Sequence, residues 1–436
     1  MGRAGDKNRS VTNDASAQVR SPLRTLLEWS VLGVVVGVLV GAGSAIFLWL
    51  LERATHLRES HERLVYALPI AGLMIGAIYE KWGAQIKGGN NLVLDTIHDD
   101  SPQIPLRMAP MVVIGTVLTH VFGGSAGREG TAVQMGASVA DMVAHRARVK
   151  RDMRHQLLAA GMAGGFGAIF GTPWAGAIFG LEVVAIGRPK FDALVPALIA
   201  AFTGDMVCRA LGTVHTAYPH APFVALTGTV LVKLVVVGVA MAIAAVAFIE
   251  LTHGLKRLLE TWIPRLSLRM FVGGSLVVLM WKAIGSSEYL GLGIPMIVRA
   301  FHDPSLPAYA FAAKIAFTAV TLASGFLGGE VTPLFFVGAT LGSVLARHLG
   351  LPLELGAGVG LAAVFGAGAN TPVALSVMAI ELLGGTIFPH VFIVCGVAYL
   401  LTGHRGIYPS QRVFRKKHAL KHLARPVALR DYHSRR

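Results

Sequence analysis

The composition of the chain places it in a membrane. It has 436 residues, of which 54% are hydrophobic and only 14% are charged. Soluble domains carry about 25% charged residues, so the composition excludes an ordinary soluble domain and predicts a polytopic membrane protein. The two cysteines, Cys208 and Cys395, lie in apolar segments, which argues against a disulfide framework and a thiol metal site. We expect no metal and no cofactor.

The net charge of +15 is concentrated in a few stretches. Basic residues crowd an N-terminal segment (1–25) and a C-terminal tail (417–436), and the internal stretches 146–154 and 256–269 hold five and four Lys/Arg. Positive residues in short loops remain cytoplasmic. Residues 26–416 are therefore predicted to form a multi-pass domain in the cell (inner) membrane, with both termini cytoplasmic. The lipid bilayer is its expected partner, and a nucleic-acid partner for the tail is disfavoured.

Apolar segments follow one another along the chain. They cover 31–51, 64–79, 108–122, 157–171, 172–186, 193–211, 224–250, 271–284, 307–325, 331–349, 356–367, 371–383 and 390–401. Many are shorter than the ~20 residues that a spanning helix needs. Short segments interrupted by Gly and Pro are typical of discontinuous helices, which meet at a binding site near the membrane midplane.

The first apolar segment repeats the G-x-x-x-G pattern at Gly33, Gly37 and Gly41. Small residues at this spacing let two transmembrane helices approach closely. We favour packing within the chain over dimerisation through this face.

The stretch GGSAGREGTAVQMGASV at 123–139 places Arg128 and Glu129 in the middle of an apolar region. Charges at membrane depth are costly, by about 2.5 kcal/mol or more, and mark functional sites. Glu129 is predicted at a helix N-terminus, where free N–H groups favour negative charge. A carboxylate in that position competes with an anion for the same donors, which is the property of a gate.

His120, shortly before this stretch, has two interpretations. It could relay protons, or it could be a structural histidine held by hydrogen bonds. We favour the structural role.

The two halves of the chain resemble each other. Three features of the first half recur 199 residues later, as from Phe166 to Phe365, and two more recur 201 residues later, as from Glu129 to Glu330. The pairs are Phe166-Gly167 with Phe365-Gly366, Thr172-Pro173 with Thr371-Pro372, Glu182 with Glu381, Gly127 with Gly328, and Glu129 with Glu330. The spacing predicts an internal duplication, with repeats at about 30–210 and 220–400.

Other functional classes find little support. GSAGREGT lacks the Lys-Ser/Thr of a phosphate-binding loop, and no Ser/His/Asp or Cys/His arrangement is evident. We therefore expect that the protein is not an enzyme. A membrane scaffold or enzyme built on a borrowed fold is the remaining alternative from another class.

Three signatures resemble those of the CLC family of anion channels and anion/proton antiporters, and they occur in the order typical of that family. They are GGNNL at 88–92, GREGT at 127–131 and GGEVTP at 328–333, and the likeness covers roughly 25–416. Tyr408 falls where the family has its anion-binding tyrosine, and Lys314 also fits. The resemblance implies an all-α fold with an inverted repeat of broken transmembrane helices, and a homodimer.

Three departures from the chloride-handling members resemble the fluoride-exporting branch. Asn90 replaces a serine of the first signature, Thr131 replaces a proline of the second, and Glu330 replaces an apolar residue of the third. The resemblance therefore implies fluoride and protons as transported ions. A chloride/proton antiporter or a chloride channel of the same family is the alternative.

Fluoride is small, strongly hydrated and a strong hydrogen-bond acceptor, so a site that removes its water must supply strong donors. Asn90, Thr332 and Tyr408 offer such donors. Glu330 fits beside an anion if it shares a proton with Glu129, since a protonated carboxyl can donate. The alternative for Glu330 is a carboxylate that caps a helix.

The resemblance assigns the roles of the site residues. Glu129 is the gate and proton carrier. The expected anion-binding residues are Asn90, Gly130, Glu330, Val331, Thr332 and Tyr408.

The inner proton route is expected to differ from that of chloride antiporters. These carry a second acid directly after a glutamate of the eighth helix; Glu182 matches the glutamate, but Val183 replaces the second acid. Because Glu182 recurs as Glu381, we predict that it is a structural acid at a helix end rather than a relay.

Overall fold

A computed structural model describes residues 22–99, 103–417 and 422–432. Most of the predicted basic N-terminal segment (1–25), and the tail residues 418–421 and 433–436, lie outside the described residues. The described chain is mainly helical, and its longest connection without a helix or strand is 211–227, between α8 and α9. Its α-helices are α1 Pro22–Ser60, α2 Leu68–Trp82, α3 Asn90–His98, α4 Met108–Val121, α5 Glu129–Arg146, α6 Arg151–Phe170, α7 Pro173–Glu182, α8 Leu194–Ala210, α9 Gly228–Trp262, α10 Leu266–Ile284, α11 Ile294–Arg299, α12 Ala310–Ala323, α13 Val331–Leu349, α14 Leu353–Ala369, α15 Pro372–Leu383, α16 Phe388–Thr402 and α17 Leu429–Tyr432.

Six helical segments in the described part of the chain are long and apolar enough to cross a membrane. They are Leu23–Ser60, Glu62–Trp82, Phe191–Ala210, Gly228–Trp262, Leu266–Ile284 and Gly385–Thr402. The remaining apolar helices include shorter ones such as α4, α12, α14 and α15. The prediction of a polytopic membrane protein that mixes full spans with broken helices is confirmed.

Several predicted boundaries were wrong at the basic stretches. The stretch 256–269 is not a loop, because α9 continues to Trp262 and α10 begins at Leu266. Likewise, α6 begins at Arg151, inside the predicted basic loop 146–154. Arg154 there pairs with the buried Asp141 of α5, with Nε and Oδ1 2.6 Å apart. Polar helix ends extend beyond the apolar core of a span, and a hydropathy pattern does not detect them.

A small sheet adds to the helical fold. Its strands are β1 Ala185–Ile186, β2 Arg412–Arg415 and β3 His422–Ala428, in the order β1-β2-β3. β1 pairs with β2 in parallel, and β2 pairs with β3 antiparallel. The described part of the predicted basic tail therefore folds back onto the end of α7 instead of extending into solvent.

The glycines of α1 pack against α8 within the chain. A Cβ on Gly41 would lie 2.4 Å from the carbonyl oxygen of Gly204, and one on Gly37 would lie 2.9 Å from that of Ala200. Such contacts leave no room for a side chain, so the preference for packing within the chain is confirmed.

The same close packing occurs in both halves. A Cβ on Gly136 would lie 2.1 Å from the carbonyl oxygen of Gly161, between α5 and α6. In the second half, a Cβ on Gly338 would lie 2.0 Å from that of Gly360, between α13 and α14. These contacts hold α5 against α6 and α13 against α14, and the starts of α5 and α13 carry residues of the candidate site.

The duplicated acids cap each other's helices. Glu182, at the end of α7, accepts hydrogen bonds from two N–H groups at the start of α15, that of Ala374 at 2.8 Å. Glu381, near the end of α15, accepts from two N–H groups at the start of α7, that of Ala175 at 2.8 Å. Free N–H groups at a helix start favour a carboxylate. Glu182 is therefore a structural acid at a helix end, as its recurrence predicted.

His120 and Lys314 are buried and bonded to backbone carbonyls. The ring nitrogens of His120 lie 2.8 Å from the Thr116 carbonyl oxygen and 3.0 Å from that of Ala126. Lys314 Nζ donates to the carbonyl of Gly291 at 2.7 Å. The favoured structural role of His120 agrees with these contacts.

The reciprocal caps predict matched stability losses. Glu182→Gln and Glu381→Gln should each lower the free energy of unfolding by ~1–3 kcal/mol, because each removes charge-assisted bonds to helix N–H groups. Thermal unfolding in detergent measures this, with Glu52→Gln on an exposed position of α1 as the control. A loss confined to one of the two variants would contradict the reciprocal arrangement.

Candidate functional site

The helices α5 and α13 start from two glycine loops that are bonded to each other. The N–H of Gly127 donates to the carbonyl of Gly329 at 2.6 Å, and the N–H of Gly329 donates to the carbonyl of Gly127 at 2.8 Å. A Cβ on Gly329 would lie only 2.7 Å from the nitrogen of Gly130. Glycine permits this approach, and it brings the N-termini of the two helices together.

Glu129 is the first residue of α5 and is fully buried. Its carboxylate accepts hydrogen bonds from the backbone N–H of Thr332 at 3.2 Å and from that of Arg128 at 3.0 Å. The Thr332 hydroxyl also donates to it. The prediction that Glu129 lies at a helix N-terminus is confirmed, and its carboxylate reaches the N-terminus of α13 from the other half.

Arg128 connects this buried carboxylate with a cavity. Its Nε lies 3.7 Å from Glu129 Oε1, and its side chain is 13% exposed. The cavity has a volume of about 460 Å³ and is lined by Arg128, by Glu52 and His56 of α1, and by loop residues such as Thr213. A positive side chain thus stands between the cavity and Glu129.

Asn90 begins α3 and lies beside Gly130. Its Nδ2 is 3.2 Å from the position that a Cβ on Gly130 would take. Its buried Oδ1 has no hydrogen-bond partner within the part of the chain that the structure describes. Gly89, with φ of 56°, provides the turn that starts this short helix. A polar side chain thus faces the start of α5 with part of its bonding capacity unused.

Glu330 occupies the N-cap position of α13, but its side chain makes no capping hydrogen bond. The carboxylate that reaches this helix start belongs to Glu129. The capping alternative for Glu330 therefore has no support from the geometry. Val331, the next residue, is buried within the first turn of α13, where it can contribute its backbone N–H and not a polar side chain.

Tyr408 is buried, and its hydroxyl has no hydrogen-bond partner among the described residues. The neighbouring Ile407 N–H donates to the carbonyl of Gly368, near the end of α14, at 2.9 Å. An unsatisfied buried hydroxyl is costly unless a ligand or water bonds to it. The hydroxyl is therefore suited to donate to a bound anion.

Thr131 contributes to packing rather than to the site. Its hydroxyl lies 2.6 Å from that of Thr116 and so links α4 to the start of α5. Of the three departures from chloride-handling members, the structure brings Asn90 and Glu330 to the helix starts, and it turns Thr131 towards α4.

Taken together, the helix N-termini of α3, α5 and α13 present N–H groups and polar side chains to a region around Glu129. Such N-termini bind anions without requiring a cationic side chain. The arrangement is suited to holding a small anion in competition with the Glu129 carboxylate.

The sequence pattern did not reveal Ser410 and Gln411, which hold the segment around Tyr408 by hydrogen bonds. Ser410 donates its N–H to Asn91 Oδ1 at 3.0 Å, and Gln411 donates to the carbonyl of Val183 at 2.8 Å. These contacts join residues hundreds of positions apart, so no local pattern predicts them. The polar pair Ser410-Gln411, which follows Tyr408 and Pro409, is the one available signal.

Comparisons with known proteins agree with this geometry. A model of the voltage gated chloride channel family matches residues 71–403. The chain is 46% identical over 399 residues to a chloride/fluoride channel protein of Pseudomonas syringae pv. tomato, covering 90% of this chain and 88% of that protein. It is 28% identical over 409 residues to an H(+)/Cl(-) exchange transporter of Vibrio vulnificus, covering 85% of each.

Solved structures share the fold. The crystal structure of a CLC-type fluoride/proton antiporter matches with a TM-score of 0.87 and 38% identity, over 89% of this chain and 98% of that chain. A slow cyanobacterial Cl-/H+ antiporter matches with a TM-score of 0.74 and 18% identity, over 87% of this chain and 94% of that chain, which supports the fold alone.

The contact between Thr332 and Glu129 can be tested directly. Thr332→Val removes, at nearly constant shape, the hydroxyl that Glu129 uses here and that an anion in its place would use. It should lower anion flux through reconstituted protein about tenfold, since a hydrogen bond to a charged group contributes about 1.5–3 kcal/mol. Thr332→Ser keeps the hydroxyl and should retain most of the flux. Equal flux in both variants would show that the hydroxyl is dispensable.

Proposed function

The chain belongs to the voltage gated chloride channel family, the CLC family, and on this premise we propose that it exports fluoride in exchange for protons. The observation that carries the proposal is the Glu129 carboxylate on the N-terminal donors of α13. Asn90 and Glu330, both departures from the chloride-handling pattern, lie at the helix starts of the same region. The similarity to a fluoride/proton antiporter and to a chloride/fluoride channel protein supports the same substrate.

Glu129 acts as gate and proton carrier. Its ionised carboxylate uses the N–H and hydroxyl donors of Thr332, so an arriving fluoride must displace it. Protonation of Glu129 removes the charge that holds it there and frees the donors for fluoride. A cycle in which fluoride and the ionised carboxylate alternate on α13 couples fluoride export to proton entry.

Glu330 distinguishes fluoride from chloride. Its side chain does not cap α13, and it belongs to the same helix start that Glu129 reaches. Two carboxyl groups in a common region share a proton in preference to both being ionised. The protonated carboxyl then donates to fluoride, which gains more from a strong donor than chloride does.

Asn90, Gly130, Val331, Thr332 and Tyr408 complete the anion path. Asn90, Thr332 and Tyr408 supply side-chain donors, while Gly130 and Val331 supply backbone N–H groups in the first turns of α5 and α13.

The assembly and its orientation form part of the proposal. Residues 26–416 form the transport domain of a homodimer in the inner membrane, with repeats at about 30–210 and 220–400 and both termini in the cytoplasm. The basic ends of α9 and α6 support the orientation. Cysteine accessibility in intact cells tests the orientation, and light scattering of the purified protein tests the dimer.

The decisive experiment measures ion flux in liposomes that contain the purified protein. An imposed fluoride gradient should drive protons uphill in the opposite direction, and an equal chloride gradient should drive little proton movement. Equal coupling to chloride would favour a chloride/proton antiporter. Fluoride flux without proton movement would favour a channel.

Glu129→Gln should abolish proton movement coupled to fluoride, because a neutral isostere cannot carry a proton. Proton and fluoride fluxes are recorded together in the same liposomes, and Glu260→Gln, at an exposed position near the end of α9, provides the control for loss of an acid away from the helix starts and from the cavity beside Arg128. Coupled proton transport that survives in Glu129→Gln rules out Glu129 as the carrier.

Glu330→Ala should reduce the ratio of fluoride to chloride flux, since it removes the proposed donor. Glu330→Gln keeps an N–H donor of similar length and should preserve more of that ratio than alanine does. Flux ratios for both variants are compared with that of the unmodified protein. An unchanged ratio in Glu330→Ala would mean that the acid plays no part in selectivity.

A further inference from the structure

Asn91, which follows Asn90, is bonded to Ser410, which follows Tyr408 by two residues, although the two come from distant parts of the chain. Ser410, two residues after Tyr408, donates its N–H to Asn91 Oδ1 at 3.0 Å. Its hydroxyl donates to Asp95 Oδ2, also at 3.0 Å. The start of α3 and the segment that carries Tyr408 therefore form one bonded unit.

Arg430, in the C-terminal helix α17, completes this unit. Its Nη1 donates to Asp95 Oδ2 at 3.2 Å and to the Ser410 hydroxyl oxygen at 3.0 Å. Its backbone N–H donates to the carbonyl of Pro409, one residue after Tyr408, at 2.9 Å. The Arg430 side chain is 48% exposed and that of Asp95 is 23% exposed. The partly exposed Arg430 guanidinium thus bonds to both Asp95 and Ser410.

Neighbouring charges reinforce the pairing. Arg412, in β2, has its Nη2 3.9 Å from Asp95 Oδ1, and the same atom donates to Asp99. Asp95 is therefore faced by two arginines, and the loss of one leaves the acid with the other. Arg430 is the one of the two that also bonds to Ser410.

Gln411 also holds the segment that carries Tyr408. It is fully buried, and its Nε2 donates to the carbonyls of Val183 and Ala369, each at 2.8 Å. The N–H of Leu429, next to Arg430, donates to the Gln411 carbonyl at 2.8 Å. Because Cα atoms of consecutive residues are about 3.8 Å apart, a displacement at Ser410 reaches Tyr408 within two residues. A shift of about 1 Å in a binding group is enough to alter its function.

We propose that Arg430 and Asp95 are positioning residues of the anion path. The Arg430 guanidinium holds Ser410 against Asp95 and thereby sets the spacing between Asn90 and Tyr408. This inference rests on the proposed function, because it takes those two side chains to contact the transported anion. It gives α17, which belongs to the predicted basic tail, a part in anion selection.

The test uses full-length protein in liposomes and compares unmodified protein with Arg430→Gln, Arg430→Lys and the control Lys416→Gln, which removes an exposed cation of the same region. Initial fluoride flux is measured over a range of fluoride concentrations, together with the ratio of fluoride to chloride flux. Arg430→Gln should raise the half-saturating fluoride concentration about two- to fivefold, as expected for a partly exposed ion pair. It should also lower the flux ratio, with little change in the maximal rate.

Arg430→Lys restores the charge without the guanidinium fork and should recover part of the shift. Lys416→Gln should match the unmodified protein. An unchanged half-saturating concentration and flux ratio in Arg430→Gln would overturn the proposal and leave Arg430 as an anchor of the tail.

Two further arms keep the outcomes distinct. If the unmodified protein moves no fluoride, the proposed function itself fails, and the flux measured for the unmodified protein shows this before any variant is compared. If Arg430→Gln is not recovered as a monodisperse protein, Ser410→Ala takes its place, because it keeps both charges and removes the hydroxyl that joins them. The same shift is expected, and unchanged transport in Ser410→Ala overturns the proposal.

Discussion

The fold depends on carboxylates that cross from one half of the chain to the helix N-termini of the other. Glu182 bonds to the start of α15, Glu381 to the start of α7, and Glu129 to the start of α13. In a low-dielectric interior the free N–H groups of a helix start need a partner, and a carboxylate satisfies them more strongly than a neutral group does. The same interaction therefore joins the halves and creates the site.

The three caps differ in whether an anion can replace them. Glu182 and Glu381 belong to a reciprocal pair, so releasing either one exposes a helix start with no substitute at hand. At α13, the N-cap residue Glu330 leaves the helix start uncapped by its own side chain, and Glu129 arrives from the glycine loop that precedes α5. In the proposed function, the cap at α13 is thus the one that exchanges with the anion.

The sequence was sufficient where the pattern was local. It predicted the bounds of α13, the position of Glu129 at a helix start and the repeat that pairs Glu182 with Glu381. It failed at β1 and β2, because two residues beside α7 pair with a strand more than two hundred residues later. It also missed Arg430, since a basic tail residue gives no sign that its partner lies in α3. Long-range polar contacts carry no periodicity that could reveal them.

The end of α7 carries Val183 and not a second acid after Glu182. Glu182 is bound by two N–H groups of α15. Val183, where a second acid would stand, is buried, and its carbonyl accepts the Gln411 amide that holds the Tyr408 segment. An acid in place of Val183 would put a charge among buried residues, beside the hydrogen bond between the Val183 carbonyl and Gln411. Both positions therefore contribute to the packing at the end of α7. In the proposed function, a proton exchanged between Glu330 and Glu129 at the start of α13 would not pass through α7.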